Sequence, residues 1–274
     1  MCKISFALES EKNSQSNRME ILSGNKDNPW TAQLIFTYLG SSLNKPISKY
    51  TPNPGNYVPP PVVVLFGTVG IRYRFDEEGK SILGGGTGAS TQTPFHGPKN
   101  TTLSDPYIDF THFNKIGRFH HRTNFGVGYL TNYQYHHKYG YRFDIALNEE
   151  FIYLLSNGLT FGSVLMLHFN TFDYSKSYDL HEQARYEIWV EPFIEYRLSP
   201  KFNMKLNTDF VWLNLRDTKS KFTYFRPEVM QGLGVEWLIT KRFYLFPHIK
   251  YFPFSNNLGL KSTIMNVNFI INLL

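Results

Sequence analysis

Three times in its second half the chain runs an alternating apolar and polar stretch into a short turn and out into another. The stretches are YRFDIALNEEFIYLL and LTFGSVLMLHFNTF around SNG, ARYEIWVEPFIEYRL and FNMKLNTDFVWLN around SPK, and PEVMQGLGVEWLI and FYLFPHIKYFPF around TKR. A last alternating run, STIMNVNFIINLL, follows them. Period-two alternation is that of a β-strand, whose successive side chains point to opposite faces. Asn-Gly and Ser-Pro-Lys are tight-turn chemistry, so each pair predicts an antiparallel hairpin.

The two faces of these strands differ sharply. Tyr186, Ile188, Val190, Pro192, Ile194, Tyr196 and Leu198 share one face; Arg185, Glu187, Trp189, Glu191, Phe193, Glu195 and Arg197 share the other. In the next strand Phe202, Met204, Leu206, Phe210 and Trp212 oppose Asn203, Lys205, Asn207 and Asp209. Runs this long exceed the five or six residues typical of soluble sheets. A tilted strand that crosses a bilayer needs about 9 to 11 residues, apolar outward and polar inward. Aromatic residues sit at both ends of the runs. Phe151, Tyr153, Tyr196, Phe202, Trp237 and Phe243 lie beside the short turns, and Tyr141, Phe172, Tyr186, Trp212, Phe225, Tyr251 and Phe252 at the far ends. Two such bands at bilayer spacing are interfacial girdles. The competing reading is a large soluble β protein with an aromatic core.

The first half continues the pattern less cleanly. CKISFALES, TAQLIFTYL, VVVLFGTVGIRYRF, PYIDFTHF and RTNFGVGYLTNYQY each read as a strand. Together the runs predict an all-β, antiparallel up-and-down transmembrane barrel of about twelve strands, within roughly 10 to 14, as one domain over 1–274. With both termini on the periplasmic side, SNG, SPK and TKR become periplasmic turns and residues 11–30 and 76–105 become long outer loops. LGGGTGAS falls inside the second of these as a flexible loop, since no Gly-Lys-Ser/Thr completes a phosphate-binding motif. The proline-rich connection 41–61 falls on the periplasmic side, where a long loop is out of place.

Composition agrees. The 274 residues include 24 Phe, 18 Tyr and 4 Trp, yet only 18% are charged. Abundant Phe, Tyr, Leu, Ile and Val argue against disorder. No apolar run approaches the ~18 residues of a membrane helix. A single cysteine excludes internal disulfides and multi-thiolate metal sites. The formal charge of +6 is dispersed and no nucleic-acid motif is visible, so nucleic acid is not an expected partner. The first twenty residues hold no apolar segment of signal-peptide length, so the numbering is expected to start after a removed leader.

On the three hairpins and the closing MNVNFIINLL, the chain resembles a bacterial outer-membrane β-barrel protein. LSDPYIDFTHF and FGVGYLTN are similar to strands of aromatic-compound transporters of that membrane. Such barrels usually end in Phe or Trp, whereas this chain ends in Leu274. The resemblance implies residence in the outer membrane, lipid as the surrounding partner and a small solute as cargo. The polar faces would then line the lumen with Arg72, Arg74, Arg142, Asp144, Arg185, Glu187, Glu191, Glu195, Arg197, Lys205, Asp209, Glu228, Glu236 and Lys250. Tyr153, Tyr186, Tyr196, Phe202, Trp212, Trp237, Phe243 and Tyr251 would meet the membrane interfaces. Opposed charged walls would orient solutes in a wet pore; cross-strand pairs would knit the lumen shut. Inward Trp189, Phe193, Tyr244, Phe246 and Phe252 point to a narrow or occluded passage. Three readings follow: first a pore or transport protein for small solutes, then a non-conducting barrel presenting residues 76–105 or 41–61 to a protein partner, and last a membrane hydrolase sited at the rim.

Enzymatic chemistry finds little purchase. A barrel phospholipase needs His and Ser two residues apart on one strand face, but His168 precedes Asn170 and His112 precedes Asn114. A rim protease would need paired Asp and His, and Asp109 and His112 fall on opposite faces. His120–His121 and His136–His137 are adjacent, so each doublet splits across the wall rather than gripping one ion. No catalytic residue, metal or cofactor is expected.

Overall fold

A computed structural model of the protein describes residues 28–53, 61–76, 80–96, 100–131, 136, 140–155, 158–173, 184–215, 223–224, 229–254 and 259–273. Thirteen antiparallel strands run through them: β1 (Trp30–Ser42), β2 (Val64–Arg74), β3 (Ser81–Gln92), β4 (Asn100–Ile116), β5 (Phe119–Tyr129), β6 (Tyr141–Leu154), β7 (Leu159–Phe172), β8 (Ala184–Arg197), β9 (Phe202–Leu215), β10 (Thr223–Tyr224), β11 (Met230–Thr240), β12 (Phe243–Tyr251) and β13 (Thr263–Asn272). Each pairs with its sequence neighbour except around the two-residue β10, which extends the sheet beside β9, while β11 pairs with the rest of β9. β13 returns to pair with β1, so the remaining twelve strands close into a barrel without a free edge.

The core is inverted. Val69, Ile71, Phe125, Phe143, Tyr153, Phe161, Tyr196 and Leu206 are exposed on the outer wall. Gln33, Thr111, Glu150, Glu195, Lys205, Asp209 and Glu236 are buried within. Lys205 is the largest of the side chains left under 2% exposed. Apolar residues turned outward lose no water if lipid surrounds them, and closure satisfies every ladder of backbone groups. A soluble sandwich with an aromatic core would show the reverse.

One loop expected from the sequence is a strand. LGGGTGAS lies within β3, paired in continuous register with β2 and, with a slip between Gly86 and Gly88, with β4, so only short connections remain of the 76–105 loop. Glycine hides the alternation because half of it carries no side chain. Its use here is packing. A Cβ on Gly86 would stand 2.2 Å from the Val69 carbonyl oxygen and 2.9 Å from the Tyr107 hydroxyl, so the bare backbone lets the ring lie against the sheet.

The extra crossing corrects the topology. β1 starts and β13 ends at the same end of the barrel as Gly117, Gly158 and the turns at Ser199–Lys201 and Lys241–Arg242. The proline-rich connection 41–61 therefore joins the opposite, long-loop end, not the short-turn end, and the awkward periplasmic loop disappears. CKISFALES and nearly all of the expected 11–30 loop lie outside the described residues. β3 supplies the twelfth crossing in their place.

A second correction concerns two girdle aromatics. The register slips between Tyr141 and Asp144, which turns Tyr141 inward against Phe172. Their rings stand 4.5 Å apart and both are buried, and the Tyr141 hydroxyl donates to the Ala184 carbonyl at 3.2 Å. Phe252 is buried as well. Phe225 lies outside the described residues.

Candidate functional site

The barrel interior gathers most of the chain's buried charge. Alternation from each strand's exposed apolar residues turns Arg72 and Arg74 of β2, Asp144 of β6, and Arg185, Glu187, Glu191, Glu195 and Arg197 of β8 inward. Lys205 and Asp209 of β9, Glu236 of β11 and Lys250 of β12 share that side. Arg142 sits at the register slip on the long-loop rim, paired with Asp173 at 2.7 Å and His136 at 2.6 Å. Glu228 lies outside the described residues.

Toward the short turns the interior is packed. Phe113 of β4 reaches two apolar clusters at once, one of Tyr244, Phe246 and Ile270, the other of Ile152, Val164 and Phe193. Ile35 and Leu238 complete the first, Leu154 and Met166 the second. Charge in this layer is met by neighbours rather than bulk water, although Glu236 Oε1 has no hydrogen-bond partner among the described residues. Lys205 stands 3.6 Å from Glu191, 3.7 Å from Glu195 and 4.1 Å from the Phe193 ring centroid. Arg122 pairs with buried Glu150 at 2.9 Å, and Asn203 donates to Glu236 at 3.4 Å. Isolated ions here would be prohibitively desolvated; pairing is what permits them.

Toward the long loops the interior opens. A cavity of about 380 Å³ is lined by Gln33, Arg72, Tyr107, Asp109, Arg122, Asn124 and Asp144, with Gly126 and Gly128 leaving one wall bare. Arg72 donates to Thr111 at 3.0 Å and meets Asp109 at 3.5 Å, two strands away. That reach crosses Gly84, where a Cβ would sit 2.3 Å from the Asp109 carboxylate. His168 and Asp144 pair at 3.1 Å, and Trp189 donates to Glu187 at 3.3 Å. A second cavity of about 320 Å³ lies against the packed layer, lined by Tyr244, Phe246 and Ile270 of its first cluster together with Glu191, Lys205 and Lys250, the last paired to Asp209. Ile35 and Arg122 border both cavities, so these two side chains form the waist between them.

The outer wall carries aromatic side chains toward both ends of the strands. Tyr153, Tyr196, Phe202 and Trp237 are exposed near the short turns, Tyr186 and Tyr251 near the long loops, and Trp212 and Phe243 are half-buried among them. Phe202 and Trp237, directly opposite across β9 and β11, stack at 5.4 Å. Polar groups interrupt this face: Glu149 accepts from Thr123 at 2.8 Å and contacts His121 near the short turns. His120, on the other side of the wall, is buried. His112 shares a 3.0 Å hydrogen bond with Ser81 on the outer face, away from inward Asp109. His120 and His121 thus split across the wall and Asp109 and His112 do not pair; of the other doublet, His137 lies outside the described residues.

Sequence reasoning missed Arg122, Glu150, Asp109 and His248 as interior residues. Arg122 and Asn124 alternate with Phe125, Val127 and Tyr129, a signal that was readable. Adjacent Glu149 and Glu150 offer no such cue, because one of the two must face lipid.

No known protein family matches the sequence, and no curated protein matches it either. Solved structures do. An outer membrane channel from Pseudomonas putida F1 superposes with a TM-score of 0.56 at 10% identity, over 90% of this chain and 96% of that one. The fold is that of an outer-membrane channel. The NanC porin (TM-score 0.46, 8% identity, 88% of this chain and 97% of that) and the KdgM porin in complex with disordered oligogalacturonate (0.47, 7%, 88% and 98%) are more distant.

Proposed function

We propose that the chain is a non-enzymatic pore or transport protein for small solutes in a bacterial outer membrane, with the charged strand faces as its lining. The observation that supports this most is the pair of cavities enclosed by the barrel, meeting at Ile35 and Arg122. Both hold acid and base together: Arg72 with Asp109 in one, Lys250 with Asp209 beside the other. Paired charges leave no wall of one sign, so polar neutral or dipolar solutes fit this lining better than strong anions or cations. Glu191, a fifth exposed on its side chain, is the carboxylate best placed to bias passing ions.

The test is planar-bilayer recording of the purified barrel. Discrete conductance is expected, with Glu191→Gln shifting the permeability ratio toward anions. Conductance with unchanged selectivity would reject the lining role of Glu191. A silent but folded protein would overturn the pore and favour a second reading, a scaffold barrel. The apolar layer around Phe113 is the feature that supports that alternative. A protein partner would then meet the long-loop end at the 41–61 connection and the remnant of the 76–105 loop.

A further inference from the structure

The described residues of the connection after β1, 43–53, lie against the outside of the barrel at Tyr38. Tyr38 of β1 lies on the outer wall, on the same face as exposed Phe36 and opposite exposed Leu65 of β2. Its hydroxyl donates to the Pro46 carbonyl at 3.4 Å, and its ring meets Phe95 at 5.8 Å, nearly edge-on. Both connections at this end, residues 43–53 and 93–96, are thereby drawn toward the lipid-facing side. They are internally ordered. Val63 donates to the Lys49 carbonyl at 3.0 Å and Thr51 to that of Pro61 at 3.1 Å, and His96 contacts the Ile47 carbonyl.

What this strap presents is unusual for a water-facing loop. Ile47 is 60% and Phe95 59% exposed, next to the apolar belt. Lys45 and Lys49 are exposed beside them, and residues 43–53 and 93–96 include no acid. Apolar tips flanked by basic side chains match the border where acyl chains give way to anionic headgroups.

We infer that this strap is a headgroup-binding foot, with Ile47 and Phe95 seated in the acyl border and Lys45 and Lys49 holding the phosphates of anionic lipids. The surface is continuous with the lipid-facing belt and opposite in charge to its partner. It does not depend on whether the lumen conducts.

The experiment places a nitroxide on Ile47→Cys in a Cys2→Ser background, reconstituted in vesicles of phosphatidylcholine with or without phosphatidylglycerol. A label on Lys241→Cys, in an exposed short turn, is the aqueous reference. Oxygen should relax the label at 47 more than a water-soluble nickel chelate does, and phosphatidylglycerol should widen that difference. Lys45→Gln with Lys49→Gln should abolish the phosphatidylglycerol effect. Nickel relaxation at 47 equal to that at 241 would overturn the foot, and insensitivity to the lysines would overturn the headgroup contact. Heat-modifiable migration in gels confirms that each variant is folded.

Discussion

The two halves of the lumen are built from the same alternating strands and solve the same electrostatic problem differently. Near the short turns, the side chains of the Lys205–Glu195 pair are 2% and 5% exposed and press against Phe193. Near the long loops, those of His168–Asp144 are 29% and 28% exposed, and those of Arg142–Asp173 34% and 21%. The difference comes from what shares the layer. Phe113, Phe193, Tyr244 and Phe246 crowd one half, leaving the 320 Å³ cavity beside Tyr244 and Phe246; glycines of β5 leave the other open to the 380 Å³ cavity. Charge in the packed half is structural, bound to its partner by desolvation. Charge in the open half remains available to a solute.

Breaking a pair in each half tests this. Lys205→Met preserves bulk but strands the buried carboxylate of Glu195 and the part-buried one of Glu191, and should cost about 3–5 kcal/mol. Urea unfolding in detergent measures it. A smaller loss is expected from Gly86→Val, which forces a side chain between β2, β3 and Tyr107: about 1–3 kcal/mol, together with lower conductance as the cavity narrows. Smallest should be Arg142→Gln, whose rim pair is half-wet and screened by solvent, with the urea midpoint scarcely moved. If Arg142→Gln and Lys205→Met proved equally costly, the contrast between the halves would be wrong.

The same contrast explains what could be read from the chain alone. Strands β6 to β9 announce themselves because every second residue is large and apolar, as in Tyr186 through Tyr196. β3 does not, and its omission put the 41–61 connection at the wrong end. Facing was legible; pairing was not. That Arg72 meets Asp109 over Gly84 depends on the register of three strands. Tyr141 turned inward because of a one-residue slip that no local pattern marks, whereas Phe172 follows the alternation of buried Val164 and Asn170 and was readable. The interior charges could thus be assigned to a face, while the division of the lumen into packed and open halves needed the structure.

Single-channel conductance of Phe113→Ala against the unmodified protein tests the central claim most directly, because Phe113 is the side chain that joins both apolar clusters. If the packed half limits passage, conductance should rise several-fold while heat-modifiable migration shows the barrel still folded. Equal conductance in the two proteins would contradict the account and place the constriction elsewhere.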